Sequence, residues 1–216
     1  MKSSLITASP QKLSETLAAG VHPSSEQQQI TDGGKHASKW AILSIVAVGV
    51  FMATLDSSIV NISLPAIARA FNVPLGGAIE WVVIVYLVVV AGALLTTGRL
   101  ADMIGRKPIW AAGLALFTIG SALCGGAPSL GLLIAARALQ GFGGAFILAI
   151  SPAMLTSAFA PHEHGRALGL NAVVVALGVS AGPTLGGLLT TFLSWRWIFF
   201  VNVPLSVAKS ADNSSV

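Results

Sequence analysis

From Trp40 onward the chain alternates long apolar runs with short polar links, whereas the residues before it are rich in Ser, Gln, Lys and Gly. The apolar runs fall at 40–64, 81–98, 108–127, 130–158 and 167–193. A hydrocarbon core of about 30 Å is crossed by roughly 20 helical residues, so each run is long enough to span a bilayer. A barrel would need strands of about ten residues with alternating polarity, and backbone amides left unpaired in lipid are costly. The pattern therefore predicts an all-α membrane protein with about five complete spans. A sixth apolar segment, 197–208, offers only about a dozen residues before the polar KSADNSSV ending, too few to cross comfortably, and reads as a partial span. Residues 1–39 are expected to be a disordered cytoplasmic tail, 40–208 a partial helical bundle, and 209–216 a polar tail.

Composition sharpens this picture. Charged residues make up 9% of the chain, against about 25% in a typical soluble domain. The net charge is +4, but the bases are scattered over the tail and the links rather than gathered into a patch, which argues against nucleic acid as a partner. No short cleavable apolar segment precedes Trp40, so an uncleaved N-terminus on the cytoplasmic side is expected. With that topology Lys39, Arg99, Arg106, Lys107 and Arg166 lie inside, and only Arg69 and Arg196 lie outside, the bias that positive-inside insertion produces. The tryptophans at 40, 81, 110, 195 and 197 fall near span ends, where interfacial anchors belong. Cys124, the single cysteine, reads as a buried packing residue.

Four places depart from simple apolar spans. Asp56 lies well inside the first run, where an ionisable group must face the bundle interior or a watery path, or carry a proton, and serves either transport or structural pairing. Asn61 offers a donor and an acceptor further along the same run, and Pro65 is expected to stop or kink that helix. Arg137 and Gln140, three residues apart, share a helix face. Arg137 needs a carboxylate, carbonyls or water, with Asp56 a candidate partner, unless it snorkels from a helix end. Between the second and third runs, GRLADMIGRKP reads as a tight inside link: Gly98 and Gly105 permit the turn, Asp102 accepts hydrogen bonds, and Arg106 and Lys107 hold the headgroups. Gly178, Gly182 and Gly186 recur every fourth residue, followed by Gly187, and form a stripe for close helix approach, with Pro183 able to bend the helix.

Other signals point nowhere. GFGGA at 141–145 lacks the spacing and context of a dinucleotide loop. His162, Glu163 and His164 lack the ligand set of a metal site and read as a solvated link. With no nucleophile and base pair, metal site or nucleotide loop, an enzyme is not expected, nor is any cofactor.

Taken in order, LDSSIVNISLP at 55–65, GRLADMIGRKP at 98–108, RALQGFGG at 137–144 and GVSAGPTLGG at 178–187 resemble the major facilitator superfamily. SWRWIFFVNVP at 194–204 narrows the resemblance to the fourteen-span drug:proton antiporters of the EmrB/QacA type. That resemblance implies a bacterial inner-membrane exporter, of the kind behind antibiotic resistance, that trades protons from the gradient for amphipathic or cationic small molecules. In a Gram-negative cell it implies a periplasmic adaptor and an outer-membrane channel as well. Asp56, Asn61, Arg137 and Gln140 correspond to its proton-coupling motifs. Gly98, Asp102, Gly105, Arg106 and Lys107 correspond to its cytoplasmic gate, and Gly178, Gly182, Pro183, Gly186 and Gly187 to its antiporter motif.

Such transporters carry a complementary second set of helices. The expectation is an N-terminal portion, truncated and inactive alone, whose missing C-terminal half would complete it. The alternatives are a noncatalytic membrane partner or half-transporter that pairs with a second polypeptide, and a channel, since buried charges also line ion paths.

Overall fold

The computed structural model describes the backbone of residues 25–203 and side chains from residue 39 to residue 203. Residues 1–24, and with them most of the expected tail, lie outside the described residues, as do 204–208 of the sixth segment and the ending 209–216.

Among the described residues six α-helices follow one another: α1 Ser25–Ala70, α2 Trp81–Ile104, α3 Arg106–Gly126, α4 Leu130–Ala158, α5 His164–Phe192 and the short α6 Trp197–Phe200. Single turns of 3-10 helix, Gly77–Glu80 and Pro161–Glu163, precede α2 and α5. Among the described residues five stretches are long and apolar enough to cross a membrane: Lys39–Ala70, Gly77–Ile104, Arg106–Gly126, Leu130–Ala158 and Pro161–Phe192. The chain is thus an all-α bundle of five spans with a shorter sixth helix.

Three boundaries differ from those the residue pattern suggests. Helix α1 begins at Ser25, inside the polar stretch, because extending an existing helix adds a hydrogen bond for each residue fixed. It also passes through Pro65 to Ala70, since one missing amide bond is tolerated in a helix held by its neighbours. Helix α2 passes through Gly98 to Ile104, so most of the expected link is helical. Gly105 alone makes the break, at φ 109° and ψ 150°, a left-handed conformation that favours glycine. Pro108 sits in the first turn of α3, as expected. The α3–α4 link is also short, the three residues 127–129. Ala127 is extended ahead of Pro128, and the Ser129 hydroxyl accepts from the Leu132 amide at 3.4 Å to cap α4.

Helix α4 is central, packing most extensively on α3 and α2. Its most apolar window is 56% buried, against 17% for α5 at the margin. Small residues allow this closeness. A Cβ at Gly120 would lie 2.7–2.8 Å from backbone and Cβ atoms of Gln140, and one at Gly143 would collide with the Phe117 amide nitrogen. The Gly178, Gly182 and Gly186 stripe of α5 is buried against α1, where Cβ atoms would meet Thr54, Ser58 and Ile59. The Ser58 hydroxyl fastens this contact by donating to the Val179 carbonyl at 2.8 Å.

The apolar core divides in two. One cluster gathers Val50, Ala53, Tyr86, Trp110, Phe117 and Ile147 toward the end of the bundle that carries Gly105. The other gathers Ile59, Val82, Cys124, Leu133, Ala136 and Phe199 toward the end that carries Pro128. Along α1, α3 and α4 the change from one cluster to the other brackets a buried polar position, Asp56, Ser121, and Arg137 with Gln140, and along α2 it falls just before Tyr86.

Both ends of the bundle are tied by residues from the links. At the Gly105 end, Lys39 Nζ donates to both Glu163 carboxylate oxygens, at 2.9 and 3.0 Å. Phe159 packs edge-on to Trp40 with ring centroids 6.0 Å apart, and Arg166 lies 5.4 Å from the Trp40 ring. The stretch read as a solvated link therefore clamps α1 to the α4–α5 turn. Replacing Glu163 with Gln is expected to speed amide exchange in the first turns after Lys39 while leaving the global unfolding midpoint nearly in place, because one half-buried ion pair at the end of the bundle carries little stability. At the other end, Arg196 donates to the Gly125 carbonyl at 2.7 Å, in the last turn of α3, and stacks 4.7 Å from Trp195. Trp110 and Trp195 are buried rather than interfacial: Trp110 joins the first cluster, and Trp195 lies between Phe71 and Phe199.

Candidate functional site

The polar layer between the two apolar clusters centres on Asp56. The first link in it is local: Arg137 and Gln140 lie one turn apart on α4, and the guanidinium donates to Gln140 Oε1 at 2.7 Å. From α1, Asp56 meets that pair with both oxygens. Oδ2 accepts from Arg137 Nη1 at 2.6 Å, and Oδ1 accepts from Gln140 Nε2 at 3.0 Å. Asp56, Arg137 and Gln140 are all fully buried. A buried charge needs a partner of opposite sign and a full set of hydrogen bonds, and this group supplies both.

The guanidinium is further fixed from α2. Its Nε donates to the Val82 carbonyl at 3.1 Å, and its plane lies over the Tyr86 ring with Cζ 4.2 Å from the centroid. From α3, the Cys124 thiol approaches Gln140 Oε1 at 3.6 Å, a weak donor to an amide oxygen. Among the described residues Tyr86 Oη has no hydrogen-bond partner, and it abuts Gly144, where a Cβ would lie 2.7 Å away.

The sixth segment adds a side chain that the sequence motifs do not single out. Asn202 Nδ2 donates to Asp56 Oδ1 at 2.9 Å and to Ser121 Oγ at 3.1 Å, and the Ser121 hydroxyl donates to the Phe199 carbonyl at 2.8 Å. The facing atom of Asn202 must be its nitrogen, because an ionised carboxylate has no proton to give. The segment read as too short to cross thus closes the polar layer. The signal was present, since Asn202 is the one polar residue in WIFFVNVPL.

Other expected site residues lie elsewhere. Asn61 is exposed, and among the described residues its amide reaches the Ser57 carbonyl alone, at 3.4 Å. Five helical residues turn the side chain by roughly 140°, away from the face of Asp56. Gly98 is exposed with no atom near its would-be Cβ, and so is that side of Gly187. Pro183 faces outward on α5. Asp102 and Lys107 are exposed and without a hydrogen-bond or ion-pair partner among the described residues, so Asp102 and Arg106 are not paired with each other. Arg106 instead donates to the Ala153 carbonyl of α4 at 2.9 Å, tying the Gly105 turn to the end of the central helix. Among the described residues no cluster of His, Cys, Asp or Glu has the makings of a metal site.

With five spans, a buried carboxylate–guanidinium pair in mid-bundle and a glycine-packed α4 established, comparison with known proteins is decisive. The family model described as Major Facilitator Superfamily matches residues 46–208. The chain belongs to this family. Riboflavin transporter RibZ of Clostridioides difficile is 38% identical over 169 residues, covering 78% of this chain and 37% of RibZ. Multidrug resistance protein Stp of Mycobacterium tuberculosis is 41% identical over 167 residues, covering 76% of this chain and 31% of Stp. The major facilitator proton:xylose symporter XylE superposes with a TM-score of 0.74 at 13% identity, over 84% of this chain and 45% of XylE. That likeness shows the shared fold. The chain therefore spans about a third of the length of these curated relatives, and both its family and its structural neighbours are transporters, not enzymes.

Proposed function

We propose that this chain is the N-terminal portion of a proton-coupled exporter of the fourteen-span EmrB/QacA type, which carries amphipathic or cationic small molecules out of a bacterial cell. The buried Asp56–Arg137–Gln140 group carries the reading: it is the site in mid-bundle where a proton, or a cationic substrate competing with it, would alter a balanced charge pair. The names of Stp, a multidrug resistance protein, and of dotC of Dothistroma septosporum, an efflux pump, favour drugs as substrates. The likeness to RibZ makes riboflavin the rival substrate. XylE, a proton symporter of the same fold, supports protons as the coupling ion.

In this reading the Gly105 end, with Lys39, Arg99, Arg106, Lys107 and Arg166, faces the cytoplasm of the inner membrane, and the Pro128 end, with Arg69 and Arg196, faces outward. Asp102, exposed at the Gly105 end and unpaired among the described residues, is placed to gate against the complementary half of the transporter. An adaptor and outer-membrane channel would be downstream partners in a Gram-negative cell. The second reading, a half that docks on a separately encoded partner, is favoured by the exposed apolar faces of α2 and α5, including Leu87, Val88, Leu95, Leu177, Leu188 and Phe192.

The test is transport in vesicles by the chain in its full native context. Saturable uphill drug movement driven by an imposed pH gradient, and abolished by Asp56→Asn, is the expected result. Saturable riboflavin movement in place of drug movement selects the rival substrate. Passive, non-saturating current would select a channel, and proton-driven transport that survives Asp56→Asn would remove Asp56 from the coupling.

A further inference from the structure

We infer that Ser58 is a positioning residue: its hydroxyl stands in for the amide that Pro183 lacks, and so fixes the axial register of α5 against the helix that carries Asp56. The contact holds whichever solute the protein carries, and needs no particular proton site.

Pro183 lies inside α5, where it offers no N–H and leaves the carbonyl four residues earlier without its helical partner. That carbonyl belongs to Val179, and Ser58 Oγ of α1 donates to it at 2.8 Å. A bare carbonyl is costly away from water, and a hydroxyl from a neighbouring helix is one of the few groups that can satisfy it within a bilayer. Among the described residues Pro65 and Pro152 also lie inside helices, but the carbonyls they free, of Asn61 and Leu148, receive no side chain from another helix.

The partner that Ser58 takes is unusual for this bundle. Hydroxyls inside the spans mostly turn back on their own helix: Thr54, Ser63, Thr97, Thr118, Ser151 and Thr190 each donate to the carbonyl four residues earlier. For Ser58 that acceptor would be the Thr54 carbonyl, yet it reaches to Val179, 121 positions away. Gly182 admits it, since a Cβ there would collide with Ser58 Oγ.

Register follows from the single open acceptor. Gly178, Gly182 and Gly186 form a smooth stripe, and sliding α5 by four residues, roughly 6 Å, would put one glycine in the place of the next. Shape alone therefore lets the stripe slip. Along that face in the interior of α5, however, Val179 has the one carbonyl that no amide of its own helix is placed to claim in the α-helical pattern, so the hydroxyl meets an unshared oxygen at one register. The hold reaches the polar layer because α1 is bound on two sides. Asp56 and Ser58, two residues and roughly 200° apart around the helix, face α4 and α5 respectively.

The experiment is magnetic resonance of the chain in its full native context, in lipid, with carbon-13 in the valine carbonyls and nitrogen-15 in the serine amides. Val179–Ser180 is the one Val–Ser peptide in this sequence, and its signal is identified by its loss in Val179→Leu. Losing a hydrogen bond moves a carbonyl-carbon signal upfield. The expected result is an upfield shift of the Val179 signal in Ser58→Ala and none in Ser58→Thr, which keeps the hydroxyl. Spin labels at Ser44 of α1 and Val173 of α5, both exposed, should show a broader distance distribution in Ser58→Ala and the original one in Ser58→Thr. The unfolding midpoint should fall in Ser58→Ala, but hardly at all when the same change is made in Pro183→Ala, where an amide at 183 again serves the Val179 carbonyl. A Val179 signal that stays fixed in Ser58→Ala overturns the inference, as does an unbroadened distance distribution or an equal fall in midpoint with and without Pro183. If Ser58→Ala does not fold, Ser58→Cys, a weaker donor, gives the same reading: a partial upfield shift supports the inference and no shift overturns it.

Discussion

Replacing Arg137 with Leu is expected to cost the bundle about 3–5 kcal/mol, because it leaves the Asp56 charge buried and unpaired. The loss should be read as a drop in the midpoint of reversible unfolding in lipid or mild detergent. The same change also removes the donor to the Val82 carbonyl and the cation over the Tyr86 ring, so neighbours on α2 lose their contacts together. Pairing Arg137→Leu with Asp56→Asn should recover most of the loss, since the doubly neutral site no longer buries a lone charge, and the coupling between the two changes is the measured quantity. Arg137→Lys should fall between. A single ammonium cannot reach Asp56, Gln140 and the Val82 carbonyl with the planar fork that Arg137 uses, nor stack on Tyr86 as a guanidinium does. A cost for the doubly changed chain equal to the sum of the costs of Arg137→Leu and Asp56→Asn alone would show that the pair contributes nothing as a pair.

The Asp56 and Arg137 partnership was legible as a candidate because two ionisable residues inside apolar runs have few ways to be satisfied. Gln140 was legible by spacing, since three residues along a helix put it on the face of Arg137. The α5 glycine stripe was legible for the same reason, and α1 fills it. Local spacing could not find Asn202, which reaches Asp56 across 146 positions of sequence, or the Lys39–Glu163 clamp, which joins residues 124 positions apart. Such contacts depend on how helices are arranged, and no helical period encodes that. Asn61 follows Asp56 by five residues on one helix, a spacing that turns it to another face. The α2–α3 link was misjudged because Gly98 and Gly105 look alike as letters, whereas only Gly105 adopts the left-handed conformation that ends a helix.

That contrast between glycines leads to a second large effect. Gly143→Ala is expected to destabilise the bundle by about 1–3 kcal/mol, because the added methyl would meet backbone rather than movable side-chain ends. Its Cβ would collide with the Phe117 nitrogen and lie 2.7 Å from the Gly113 carbonyl oxygen and the Phe117 Cα, so α3 and α4 would have to separate. Separation there disturbs Ser121 and Cys124, one and two turns along α3, and with them the hydrogen bonds that reach Asn202 and Gln140. Gly98→Ala makes the matched control. It lies in the interior of α2 with nothing within 4 Å of its would-be Cβ, so alanine should raise stability by roughly 0.5–1 kcal/mol through helix propensity alone. The unfolding midpoints of the two variants should move in opposite directions. If Gly143→Ala matched Gly98→Ala, close backbone contact between α3 and α4 would not be what holds the polar layer together.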